Sequence, residues 1–238
     1  IDKTPRAFDL GRIMAATPDA LALPQKTKPS ADSHAIIADR AERLRAYQND
    51  GYAQRYVDRL AQFRRAIPDA HAEDLTQVAA KALYKLMAFK DEYEVARLHS
   101  DPAFAAQLEE EFESGFKINY YMAPPIVSLR KDARGRPVKR AFGAWLRPVL
   151  SGLAKLSLLR GTTLDVFGYT QERREEVALI RWYEGLMEEL PAKVDDARSE
   201  VVHKLLALPL DIRGFGPVKH AAVEAARVQE LQLRAALE

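Results

Sequence analysis

The sequence predicts a mainly α fold: a multi-helix, bundle-like domain with a small β-hairpin or arm around residues 116–142. Three observations carry this. From Asp32 onward, apolar residues recur at three- and four-residue steps, the helical period. Prolines and an Asn-Asp-Gly step punctuate those stretches. One aromatic-rich stretch, Phe116 to Met122, partly alternates instead, as strands do.

Residues 1–23 read as a leftover segment, with a short helix over Ala7 to Ala16. Residues 24–30, polar and bounded by Pro24 and Pro29, read as a linker, since proline removes a donor and turns its predecessor away from helix. The helical domain is expected over 31–238. Ile36, Ile37, Ala41, Leu44 and Tyr47 mark a first helix ending at Asn49-Asp50-Gly51. Tyr52, Tyr56, Val57, Leu60, Phe63 and Ile67 mark a second, antiparallel to it and stopped before Pro68.

Asp74 is the expected N-cap of a long third helix reaching through Tyr93 to Leu98. Asp101-Pro102 starts a fourth, with Phe104, Leu108 and Phe112 on one face. Phe116–Met122 and Val138–Phe142 are the two short strands. Trp145, Val149, Leu153 and Leu156 mark a helix closed by Arg160-Gly161. Thr170 caps the next, which ends at Pro191; two more run from about Lys193 to Leu208 and from about Pro217 to Leu237.

Composition bounds the function. The chain has 238 residues, 47% apolar and 29% charged, as a folded domain has. No run of about 18 apolar residues appears, so no membrane span is expected. No signal peptide is visible, and Ile1 in place of Met suggests a fragment or a processed chain. There is no cysteine, which excludes disulfides, thiol nucleophiles and cysteine-held zinc or iron–sulfur sites in this chain and fits the cytoplasm. The net charge of +2 is too small to expect nucleic-acid binding.

Motifs with chemistry are scarce. Neither phosphate-cradling glycine pattern occurs, nor does H-E-x-x-H, and the five histidines are scattered. No nucleophile–base pair marks a hydrolase. Three segments stand out. Lys90, Glu92 and Tyr93 sit in a dense charge run, where Lys90 can pair with Glu94 and Tyr93 can stack on Arg97; it reads as a partner patch or as a solvated helix face. Arg213, Gly214, Gly216 and Lys219 surround Phe215 just before a helix; they read as an anion site at a helix N-terminus or as a tight turn. Arg134 and Arg136 belong to a basic arm with one acid, Asp132, suited to RNA, to an acidic partner or to solvent.

Taken together, Lys85–Leu98, Ala123-Pro124-Pro125, Lys139–Gly143, Leu159–Thr170 and Asp211–Lys219 resemble the C-terminal domain, of unassigned role, of fused indolepyruvate-type 2-oxoacid ferredoxin oxidoreductases. The similarity runs from about Ser30 to the end, and it implies that residues 1–23 are the tail of the preceding, gamma-type domain. It implies a parent enzyme that decarboxylates 2-oxoacids to acyl-CoA with ferredoxin as acceptor, using thiamine diphosphate with Mg and a 4Fe–4S cluster. The thiamine motif and cluster cysteines are not in this chain. No bound cofactor and no catalytic residue are therefore expected here. The chain reads as a structural or interaction domain, with the parent's other domains, ferredoxin or a second copy as partners. The alternative is a self-standing helical module that binds CoA or RNA. The family usually has His after Gly-Phe-Gly, where this chain has Pro217, which argues against acid–base work there.

Overall fold

The structure is a computed structural model, describing residues 12, 32–113, 115–122 and 138–237. The unit from Asp32 onward contains all the elements that follow. Among the described residues they are α1 (Ser33–Tyr47), α2 (Asp50–Ala66), α3 (Asp69–Met87), α4 (Glu92–Ser100), α5 (Pro102–Glu111), β1 (Tyr120–Met122), β2 (Arg140–Phe142), α6 (Leu146–Lys155), α7 (Gln171–Glu189), α8 (Ser199–Asp211) and α9 (Pro217–Ala235). Single 3₁₀ turns follow α6 and α7. The domain is mainly α with one small antiparallel hairpin, in which Tyr120 faces Phe142.

α3 is the centre. It packs against α1, α2, α7 and α8, and α9 covers α8. Its composition explains this position: Leu75, Val78, Ala79, Ala80, Ala82, Leu83 and Leu86 are buried, so more than one face is apolar and several neighbours are needed to cover it. α2 is the simpler case. Ala53, Tyr56, Leu60 and Phe63 form one buried stripe, and the Asn49 side chain caps the helix by accepting from the Tyr52 N–H at 2.8 Å. α1 is capped by Asp32 in the same way. The Arg55 guanidinium makes three hydrogen bonds to the buried Glu184 carboxylate, tying α2 to α7.

A second, smaller core lies beside this bundle. α6 packs along α4, and Leu146, Leu150, Ala96 and Tyr120 form the buried cluster, with Phe142 and Met122 of the hairpin against it. Two cores, one large and one satellite, share a seam where α3 ends and α4 begins.

That seam corrects the expected single helix through Leu98. α3 stops at Met87, and α4 starts afresh with Asp91 as N-cap, its side chain accepting from the Glu94 N–H at 2.8 Å. No Pro or Gly marks the break. A half-buried and a buried tyrosine make it tolerable: Tyr52 Oη donates to the Met87 carbonyl and Tyr47 Oη to the Phe89 carbonyl, each at 2.9 Å, satisfying groups that a helix end leaves open. Other boundaries shift too. α3 begins at Asp69 on Pro68, so Asp74 lies inside the helix rather than capping it. Asp50 and Gly51 belong to the first turn of α2 instead of the joint before it. α6 ends at Lys155 and α8 starts at Ser199 rather than Lys193. Only the last three residues of each expected strand pair.

Candidate functional site

Two stretches far apart in the sequence, the start of α4 and the run from the turn after α6 into the first turn of α7, meet at the seam. From the start of α4 comes Asp91; from the turn after α6 come Arg160 and Asp165; from the first turn of α7 comes Arg173. All four are buried. Arg160 Nε and Nη2 hold the two Asp91 carboxylate oxygens at 2.7 and 3.0 Å, and Nη1 donates to the Tyr47 carbonyl at 2.7 Å. Its guanidinium lies 3.8 Å from the Tyr47 ring centroid. Arg173 Nη1 approaches Asp91 Oδ2 at 2.8 Å, with its guanidinium over the Phe89 ring. Neither terminal nitrogen of Arg173 reaches hydrogen-bond geometry with a described residue. The contact is thus an ion pair made mostly by charge and stacking.

Asp165 organises the 161–170 turn. It accepts from the Tyr93 hydroxyl at 3.0 Å, from the Gly161 N–H at 3.0 Å and from the Phe167 N–H at 3.2 Å. Phe167 meets the Tyr93 ring edge-on. Burial, then the bond to Asp165, pushes the Tyr93 hydroxyl up to about 12, so it remains a proton donor at neutral pH. For Arg160, burial pulls the pKa down, but the Asp91 bond and neighbouring tyrosines overcome this and hold it above its ordinary value. Burial raises the Glu92 carboxyl, against the opposing pull of Arg173.

The glycine turn joins the same region. Lys90 Nζ sits 4.8 Å from the Phe215 ring centroid, a cation–π contact between the seam and the turn before α9. Lys219 Nζ is engaged by the Glu176 carboxylate of α7. Gly214 has φ +95° and Gly216 φ +56°, conformations that favour glycine. A Cβ built on Gly214 would lie 2.6 Å from Val218 Cγ1. Gly214→Ala is therefore expected to destabilise the domain by about 2 kcal/mol, visible as a melting temperature lower by about 5 °C. An alanine variant melting with the wild type would contradict this account of the turn.

The sequence-derived candidates thus divide. Lys90, Glu92 and Tyr93 lie at the seam; the Gly214–Gly216 turn adjoins it through Phe215 on Lys90, and Lys219 is held by Glu176 of α7. Arg213 is exposed and makes no ion pair with a described residue. Arg134 and Arg136 lie outside the described residues. The expected Lys90–Glu94 pair does not form, because Lys90 precedes the helix and Glu94 pairs with Arg97. Tyr93 takes Arg160 over its ring instead of Arg97.

Comparison with known families gives one match. A family model described as a family of unknown function, DUF6537, matches residues 33–232. The chain belongs to that family. No curated protein and no solved structure matches it. The matched span takes in every helix described here from α1 into α9, and with them both partners of every ion pair at the seam.

Sequence reasoning missed Arg173 and the role of Arg160. Arg173 sits among Gln171, Glu172, Arg174 and Glu175, a composition that reads as a solvated first turn. No local signal separates it from Arg174, which stays exposed. Asp165, flanked by Leu164 and Val166, was the one isolated acid between Val138 and Thr170, and that isolation was the available clue.

Among the described residues, no group of three or more His, Asp or Glu side chains is placed to hold a metal ion. No helix there is long and apolar enough to cross a membrane. The seam has the chemistry of a clamp. Its carboxylates are occupied by arginines and backbone donors, and its aromatic rings pack on one another.

Proposed function

We propose that this chain is a non-catalytic structural and interaction domain of a thiamine diphosphate-dependent, indolepyruvate-type 2-oxoacid ferredoxin oxidoreductase. The observation that carries the reading is that Lys85–Leu98 and Leu159–Thr170, two of the segments that carry the resemblance, build one buried ionic seam, with a third, Asp211–Lys219, set beside it through the contact of Phe215 with Lys90. Segments similar to a family and dispersed over more than a hundred residues have a shared physical purpose if they build one local structure. Here that structure is a clamp joining two cores, with turns displayed at its edge.

The chain's own residues do not fit the iron–sulfur cluster of such an enzyme, since it has no cysteine to ligate one. Thiamine diphosphate and Mg would likewise be held elsewhere in the parent. The domain's contribution is to hold other parts of the enzyme in position. Cytoplasmic location and ferredoxin as acceptor follow from the same reading.

The test uses an oxidoreductase of this type truncated before the domain. Alone, the 238-residue chain is expected to reduce no acceptor with indolepyruvate, thiamine diphosphate, Mg and CoA. Truncation is expected to disrupt assembly or to cut turnover by about a hundredfold, the scale of misplacing reacting groups from a distance. Adding the chain in trans should restore both. A truncated enzyme that assembles and turns over at full rate would defeat the proposal, as would acceptor reduction by the chain alone.

A further inference from the structure

The two cores share no residue. Among the described residues, the bundle core takes nothing from positions 90–178, and the satellite core takes everything from positions 96–154. They differ in size as well: thirty-one buried apolar residues form the first and four form the second. Helix packing divides in the same place. α4 packs with α5 and α6, while α1, α2, α3, α7, α8 and α9 pack among themselves. Polar and aromatic contacts follow suit. Glu94 holds Arg97, the Ser100 hydroxyl donates to the Arg97 carbonyl, His99 meets Phe104 and Tyr120, and Phe142 meets Trp145, all within residues 94–155.

The satellite is thus an insert between α3 and α7, and its two ends are tied. The chain leaves the bundle at Asp91 and returns at Arg160, and these residues hold each other at 2.7 Å. Each is also held from the bundle side, Arg160 by the Tyr47 carbonyl and Asp91 by Arg173. The seam therefore closes the bundle's chain whether or not the insert beyond it is folded. What holds the insert folded is modest. α5 contains no buried residue. Three residues of each strand pair, and a two-stranded hairpin is marginal without a core beneath it.

We infer that the satellite is an order–disorder element: from the second turn of α4 to the end of α6 it unfolds and refolds as one unit while the bundle and the seam stay folded. This goes beyond the interaction reading above and does not depend on it. Cooperativity comes from shared contacts, and regions that share few open separately, each at a free energy set by its own core. Opening the insert frees the backbone of some sixty residues against the loss of one small core, and the core of the bundle keeps all its members. Anything that binds only the ordered satellite shifts this equilibrium by mass action and leaves the bundle unchanged.

Amide hydrogen exchange of the whole chain, followed across a series of sub-denaturing guanidinium concentrations, tests this. Amides of α4 beyond its first turn, of the hairpin and of α6 are expected to converge on one exchange isotherm and to open about a hundredfold or more often than those in the middle of α3. Leu150→Ala empties part of the satellite core and should raise the opening of that whole set by one common factor, about thirtyfold or more. Exchange in α3 should stay within about twofold of the wild type. Leu83→Ala, fully buried in α3, should speed α3 and leave the satellite unchanged.

A Leu150→Ala chain whose satellite amides lose all protection while α3 keeps its own gives the expected result in its extreme form. Satellite amides that exchange on the α3 isotherm would make the domain one cooperative unit and overturn the inference, and this comparison needs no variant. Leu150→Ala speeding α3 as much as α6 would overturn it in the same way. So would α4 and α6 responding to Leu150→Ala by different factors, because the satellite would then fray piece by piece rather than open as a unit.

Discussion

Replacing Arg160 with alanine is expected to remove about 3–5 kcal/mol of stability, the usual cost of stranding one partner of a buried ion pair. The geometry says why the loss falls at the high end. Asp91 serves three donors at once. Its Oδ1 caps α4 through the Glu94 N–H and takes Arg160 Nη2; its Oδ2 takes Arg160 Nε and faces Arg173 Nη1. The Asp91 side chain is 3% exposed, so water cannot replace the missing guanidinium without opening the seam. Removing Arg160 also frees the Tyr47 carbonyl and leaves one side of the Tyr47 ring uncovered. Arg173 cannot compensate, because its contact with Asp91 lacks hydrogen-bond alignment.

Chemical denaturation measures the loss, and the midpoint of a thermal melt should fall by about 10 °C. Arg160→Lys should recover only a minor part, since an ammonium cannot hold both carboxylate oxygens and the carbonyl together or stack on a ring. A lysine variant as stable as the wild type would mean that charge alone suffices and would refute the clamp. Asp91→Ala should cost a similar amount. The two losses should fall well short of adding in the double variant, because both remove the same network.

The parts of the fold legible from sequence were those decided within a few residues. Thr170, Asp101-Pro102 and the step at Pro217 announced three helix starts because capping and the Pro preference at the first turn are local effects. The α1–α2 hairpin was equally plain. The break between α3 and α4 was not, because Ala88-Phe89-Lys90-Asp91 keeps the helical period and contains no breaker. Two tyrosines from α1 and α2 make that break tolerable, and nothing in positions 88–91 discloses them. The candidate site divides the same way. Lys90, Glu92, Tyr93 and the glycine turn drew attention through local density and special dihedrals. The Asp91–Arg160 and Asp91–Arg173 pairs span 69 and 82 residues, and a single sequence carries no record of such contacts.

Asp165 offers the second large effect, and it separates local from global disruption. Its carboxylate is 1% exposed and accepts three donors, of which two are backbone amides of its own turn and one is the Tyr93 hydroxyl. Asp165→Ala leaves the buried Tyr93 hydroxyl and Phe167 N–H without partners, while the N–H of the exposed Gly161 can turn to water. A buried unsatisfied donor costs about 1–3 kcal/mol, and relaxation of the turn relieves part of the sum, so a loss of about 3 kcal/mol is expected. Tyr93→Phe removes one of the three bonds and should cost about 1 kcal/mol. The manner of the loss is more telling than its size. The turn is bound to the domain through Asp165, the Phe167–Tyr93 contact and Arg160, whereas α3 is enclosed by helices on several sides. Amide hydrogen exchange in Asp165→Ala should therefore accelerate at Gly161 and Phe167, and at neighbouring amides of the turn, by far more than in the middle of α3. Equal acceleration throughout would mean that seam and bundle unfold as one unit. Unchanged exchange in the turn would mean that Asp165 does not organise it, and the surface that the turn displays would then need another source of rigidity.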